Sequence, residues 1–184
     1  MVLFAQNQIL GEYDLGLNLA YDRQTKKVTG YFENYSGWDV ETKSPKFSCI
    51  FYIDGQLTEN KINILTYYAD NRFEDAITGT LEIVNESTIK IEIPIEHVAC
   101  WNINHFADKF LLFTLEKIAS WSQIKYVKAE KTFFYLDNLN RKKLEKYLVK
   151  NDFVCIDKIV GRWVYCTFYG NTKTKGWLQL ANLN

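Results

Sequence analysis

Apolar and polar side chains alternate with a period of two along most of this chain, and that alternation limits what it can fold into. Phe47, Cys49, Phe51 and Ile53 share one face of one segment, while Ile89, Ile91, Ile93 and Ile95 share one face of another, with Lys90 and Glu92 opposite. Successive side chains of a strand point to opposite faces, so each such segment predicts a strand with one buried face. Glu12 to Tyr21 repeats the pattern through Tyr13, Leu15, Leu17, Leu19 and Tyr21, and Val28 to Glu33, Lys61 to Tyr68 and Ile77 to Val84 read as further strands. Six strands are expected by residue 96, joined by short turns with no helical spacer. The expected fold is all-β: an antiparallel meander, either a curled sheet or an open barrel.

Turn residues punctuate this reading. Asp54-Gly55 has the composition of a tight turn, and Pro94 places the end of its strand at a sheet edge. Asn34 to Lys46 is the longest loop-like stretch, with Trp38 expected as a lid over the core. Ala107 to Gln123 fits a helix and a strand about equally; a strand at 110 to 116 is the expectation, leading through Trp121 into a second domain. The proposed division is 1–122 and 123–184, without a Pro-, Gly- or Ser-rich linker. Apolar residues make up 47% of the chain, enough for a real core, and the 16% aromatic content with two prolines favours strands. No segment is long and apolar enough to cross a bilayer as a helix.

Formal net charge is zero, which gives no whole-chain reason to bind nucleic acid. The zero conceals a split, because residues 1–126 carry 11 Lys and Arg against 17 Asp and Glu, and residues 127–184 carry 11 against 5. Two domains of opposite sign either balance by coincidence or present charged faces to each other or to a partner.

The last third, from Tyr126 to Asn184, reads as five or so short strands separated by Asn-Asp, Val-Gly, Gly-Asn and Lys-Gly turns. Lys150-Asn151-Asp152, Trp163-Val164-Tyr165-Cys166, Thr174-Lys175-Gly176-Trp177-Leu178 and Asn182-Leu183 together resemble the C-terminal half of a bacterial Src-homology-3 domain. The resemblance covers about a third of the chain and implies a small β-barrel that binds peptidoglycan or protein. An Arg-x-Gly-Pro segment common in such domains is absent, replaced by Phe133 to Tyr147, so the ligand site associated with it does not carry over. Asn140 to Leu148 has helical propensity, but a barrel of this kind makes it a loop entering a strand.

Within this module Trp163 and Trp177 each begin a strand, and one is expected to fill the core. The other, with Tyr169 and the Phe134-Tyr135 pair, is expected to form an exposed aromatic strip flanked by Lys142, Lys143 and Lys146. Aromatic rings beside cations have the composition of a binding hot spot. The interleaving also suits single-stranded nucleic acid, but a solvated basic face is the commoner outcome, so nucleic acid is not among the expected partners.

The four cysteines admit two readings. A turn at Val160-Gly161 would set Cys155 opposite Cys166 within disulfide reach, leaving Cys49 to pair with Cys100; the alternative is four reduced core thiols. His97, Cys100 and His105 cluster in one segment, but their spacing matches no strong zinc pattern, and neither a metal nor a cofactor is expected. Cys100 with His105 as a thiolate–imidazole pair would make the chain a cysteine hydrolase, although no Gly-rich turn nearby offers an oxyanion site. Leu3-Phe4-Ala5 followed by Gln6 resembles the end of a signal peptide, which implies a periplasmic or secreted protein; a first strand at a true Met1 in a cytoplasmic protein is the alternative. The favoured expectation is a non-enzymatic exported binding protein with a protein or peptidoglycan partner, such as an immunity protein that inhibits a toxin.

Overall fold

A computed structural model describes residues 9–58, 61–70, 72, 74–139, 141–170 and 172–184, so the Leu3-Phe4-Ala5 start lies outside the described residues. The chain divides into two compact units, Met1–Ala119 and Ser120–Asn184. Both are antiparallel β structures, and no α-helix occurs among the described residues.

The first unit is a closed eight-stranded barrel. Its strands are β1 (Gly11–Tyr13), β2 (Leu17–Asp22), β3 (Lys27–Asp39), β4 (Ser44–Thr58), β5 (Lys61–Tyr67), β6 (Ile77–Ile83), β7 (Thr88–Glu92) and β8 (Leu111–Ile118). Each pairs with the next, and Gly11↔Ile118 and Glu12↔Lys117 bring β8 back to β1. Closure removes the sheet edges that an open meander would expose. An eight-stranded barrel is narrow enough for side chains to fill. The alternating residues do so: Leu17, Leu19, Phe32, Phe51, Ile53, Ile62, Ile64, Leu81, Ile89, Ile91 and Phe113 form one buried cluster. Phe32 stacks on Phe51 at 4.9 Å between ring centroids, and Phe106 meets Phe32 edge-on at 5.3 Å.

Several local expectations need correction. The strand expected over Glu12 to Tyr21 breaks at Asp14–Gly16, where Leu15 takes φ +56° and turns out to solvent. Asp14 compensates by accepting a hydrogen bond from the Thr114 amide at 2.8 Å, which ties the break to β8. Asp54-Gly55 is not a turn but lies inside β4, where Gly55 pairs with both Val28 and Ile64. A Cβ at Gly55 would sit 2.6 Å from Ile62 Cγ2, so the glycine supplies room rather than curvature. Asn34 to Lys46 is not a loop, because β3 and β4 continue through it as a ribbon with Ser36↔Phe47 and Trp38↔Pro45 in register. Trp38 is therefore no lid; it is 66% exposed. The expected edge at Pro94 corresponds to the end of β7 at Glu92.

Cys49 and Cys100 are joined by a disulfide, which fastens β4 to the segment between β7 and β8. Both residues are completely buried.

The second unit holds β9 (Gln123–Tyr126), β10 (Lys131–Tyr135), β11 (Lys143–Val149), β12 (Phe153–Val160), β13 (Trp163–Tyr169) and β14 (Lys173–Gln179). They form a six-stranded sheet in the order β11-β10-β14-β13-β12-β9, with an additional bridge between Val127 and Leu183. Val127, Phe134, Leu148, Val154, Ile156, Val164, Cys166, Leu178 and Leu183 make its core.

The β12–β13 register overturns the second cysteine pairing. Val160 faces Trp163 across a Gly161-Arg162 turn, in which Gly161 takes φ +58°. A bulge between Ile156 and Lys158 then takes the register one step back, which still leaves Ile156 facing Cys166 and Cys155 facing Thr167. Cys155 and Cys166 consequently point to opposite faces and are not bridged; both thiols are buried. Cys166 Sγ donates to the Gly176 carbonyl at 3.7 Å, and burial holds this thiol far above its ordinary pKa.

Alkylation of oxidised protein under denaturing, non-reducing conditions should therefore label two thiols, Cys155 and Cys166. Reduction of Cys49–Cys100, which closes a loop across 51 residues, should lower stability by about 2 to 4 kcal/mol in denaturant titration. Labelling of all four cysteines would contradict the structure.

Candidate functional site

Alternation on the strands of the second unit decides which rings face outward. Phe134, Val164, Cys166 and Leu178 point into the core, so Tyr135, Trp163, Tyr165 and Trp177 lie on the opposite face. Register brings them into line. Tyr135 on β10 faces Trp177 on β14, Trp177 faces Tyr165 on β13, and Tyr165 faces Lys158 on β12. The row crosses four neighbouring strands.

Its members are in contact. Tyr165 and Trp177 have ring centroids 5.3 Å apart, and Tyr135 meets Trp163 edge-on at 4.9 Å. Lys158 Nζ lies 5.2 Å from the Trp177 ring centroid and 5.5 Å from that of Tyr165. Trp177 is only 9% exposed beneath these neighbours, whereas Tyr135, Trp163 and Tyr165 remain half-buried. A second cluster continues the face outward, where Phe133 on β10 faces Tyr147 on β11 at 5.8 Å. Lys143 Nζ lies 3.5 Å over the Phe133 ring, and Lys131 Nζ lies 3.7 Å over that of Tyr147. A cation over an exposed ring is worth about 0.5 to 1 kcal/mol. Lys131, Lys143 and Lys158 form no salt bridge among the described residues. Each of the three ammonium groups lies against a ring.

Of the residues singled out from sequence, Tyr135, Trp163 and Trp177 come together on this face. Trp177 is the buried one of the two Trp residues, as expected of one of them, although it packs outside the main core cluster, and Trp163 is half-buried. Phe134 is corrected to the core, at 1% exposure, because alternation sends it to the opposite side from Tyr135. Tyr169 lies farther along β13, against Trp121 at 5.6 Å and under Lys173. Lys143 joins the face, Lys142 is exposed, and Lys146 instead lines a groove of about 510 Å³ with Phe134, Tyr147, Leu148 and Phe168. Sequence reasoning did not assign Lys131 or Lys158 to the site. Counting back by twos from Tyr135 finds Phe133 and Lys131, but the β12 bulge that aims Lys158 leaves no sequence signal.

The Cys and His segment of the first unit is arranged for packing. Cys100 is bonded to Cys49 and so provides no thiolate for His105, whose Nδ1 lies 3.7 Å from Asp108 at the surface. No three His, Cys, Asp or Glu side chains converge as a metal site among the described residues. His97 is buried, with Nε2 2.8 Å from Thr66 Oγ1 and its ring stacked on Phe51 at 5.0 Å. Burial lowers its pKa to about 4, with a small opposing contribution from Asp75.

Comparison of the chain with family models, curated proteins and solved structures returns no match.

His97 makes the fold acid-sensitive in a defined window. An unfolded histidine takes up a proton near pH 6.5 while His97 in the fold resists until about pH 4. In that interval the unfolded chain binds more protons, so stability should fall as pH drops from about 6.5 to about 4, by up to about 3 kcal/mol, and no further below it. Denaturant titrations of wild type and His97→Gln across this range should diverge by that pH-dependent amount. Parallel curves would show that His97 does not titrate as its burial requires.

Proposed function

We propose that this is a non-enzymatic binding protein of an oxidising, extracytoplasmic compartment, whose C-terminal unit is of the bacterial Src-homology-3 kind. In this reading the aromatic and lysine face holds a protein or peptidoglycan partner, and inhibition of a toxin by an immunity protein is the physiological role it best suits. The observation that carries the reading is the row Tyr135, Trp177, Tyr165 and Lys158. Tyr135, Trp163 and Tyr165 stay half-buried around the buried Trp177, and such rings supply contact area at low entropic penalty when a partner covers them.

Two further observations support it. Lysines without carboxylate partners on that face suit a ligand that brings carboxylates, which protein surfaces and the peptide stems of peptidoglycan both do. The Cys49–Cys100 disulfide suits an exported protein, since such bonds persist where the surroundings are oxidising.

The test uses two probes, purified peptidoglycan sacculi in co-sedimentation and a periplasmic extract from which captured proteins are identified by mass. One of them should bind wild type, and Tyr135→Ala and Tyr165→Ala should each weaken that binding by more than about 1 kcal/mol with little change in melting temperature. Binding that is indifferent to both substitutions would place the partner elsewhere.

A further inference from the structure

The barrel of the first unit carries a second surface that the proposed function does not use. β2 accompanies β3 only as far as Leu17↔Phe32, and β5 accompanies β4 only from Tyr52↔Tyr67. Beyond those pairs β3 and β4 continue as a two-stranded ribbon, its base at Cys49 and Phe51 still in the core and its outer part, residues 34–39 and 44–48, projecting from the barrel. Such a ribbon is marginally stable in water unless something packs on it. Tyr35, Trp38, Val40 and Phe47 are nevertheless exposed along it.

One face of the ribbon is braced. Ser36↔Phe47 and Trp38↔Pro45 put Phe47 and Trp38 on the same face as Cys49, whose disulfide to Cys100 fixes the segment between β7 and β8 beside them. Asn34 Nδ2 donates to Asn104 Oδ1 at 2.9 Å, and Ser36 Oγ donates to the Asn102 carbonyl at 3.1 Å. Trp101, 61% exposed, and Val98, 91% exposed, are held in that segment. Ribbon and segment together present five large exposed apolar side chains, Trp38, Val40, Phe47, Val98 and Trp101, while Tyr35, opposite Ser48, lies on the other face of the ribbon. The area of this apolar platform is on the order of several hundred Å², comparable to one side of a standard protein interface of about 800 Å² and large for a surface that stays bare.

We infer that this platform is a two-fold interface between two copies of this chain. A two-fold contact presses a patch against itself, so the patch must be self-complementary. Here an apolar centre is rimmed by both signs of charge, Asp39 and Glu41 beside Lys43 and Lys46, of which Asp39 and Lys46 already pair at 3.4 Å. The chain as a whole carries no net charge to oppose association. The contact runs face to face through the rings rather than by strand addition. Gly37, at φ +66°, interrupts the outer edge of β3, and Pro45 removes a donor from β4.

Sedimentation equilibrium of the full chain from about 1 to 200 µM reads this directly. Wild type should pass reversibly from the 21.6 kDa monomer to a dimer. Trp38→Ser combined with Trp101→Ser should weaken the dimer at least about tenfold while circular dichroism and melting temperature of the monomer stay unchanged. Should that pair unfold the protein, Val40→Glu at the ribbon tip should produce the same weakening. Lys158→Glu, on the other surface, should leave the dimer constant unaltered. A wild type that stays monomeric throughout, a dimer that survives Val40→Glu, or a dimer lost on Lys158→Glu each overturns the inference. None of these outcomes bears on whether the C-terminal face binds its own partner.

Discussion

Every strand of this protein must send alternate side chains to opposite faces, and the rest of the structure depends on that constraint. In the first unit the apolar set of each strand has to find a dry interior, and closing β8 onto β1 gives all eight strands one. In the second unit the same alternation sends Phe134, Val164 and Leu178 inward and leaves Tyr135, Trp163, Tyr165 and Trp177 outside. The core and the candidate site are two sides of one pleat. A single residue of slip in β13 or β14 would exchange them, so the site is as strongly specified as the core beneath it.

Strand identity was legible in the alternation of Phe47 to Ile53 and of Thr88 to Glu92, whereas the alternation over Glu12 to Tyr21 gave no sign of the break at Asp14–Gly16, and Ile95 is exposed beyond the end of its strand. Strand identity was also legible at Phe110 to Glu116, read as a strand and observed as Leu111–Ile118. Local turn chemistry misled where tertiary packing set the conformation. Asp54-Gly55 carries a turn signature, yet the glycine is required by the crowded interior beside Ile62. Asn34 to Lys46 lacks a core-facing pattern because it projects from the barrel, so its polarity read as a loop although its backbone remains paired. The Cys155 and Cys166 pairing failed for a subtler reason. A turn displaced by one residue and a bulge near Asp157 are each small in energy, yet each changes which residues face one another. The Cys49 and Cys100 pairing stands because it joins a strand to a distant segment and does not depend on hairpin register.

The two candidate surfaces differ in kind. The face of the C-terminal unit combines rings with lysines that form no salt bridge among the described residues. The ribbon platform of the barrel combines rings with a mixed rim, and the disulfide at its base joins it to the segment between β7 and β8. Loss of that bond would therefore loosen Trp101 relative to Trp38 without touching the Tyr135 to Lys158 row.

Oxidative footprinting of the aromatic side chains, with and without the captured partner, addresses the central claim most directly. Hydroxyl radicals modify rings in proportion to their exposure, so each ring reports on itself. The account predicts that the partner protects Tyr135, Trp163 and Tyr165 and leaves Tyr35 and Trp38 as reactive as in the free protein. Protection confined to Tyr35, Trp38 and Trp101, with the C-terminal rings unchanged, would contradict it.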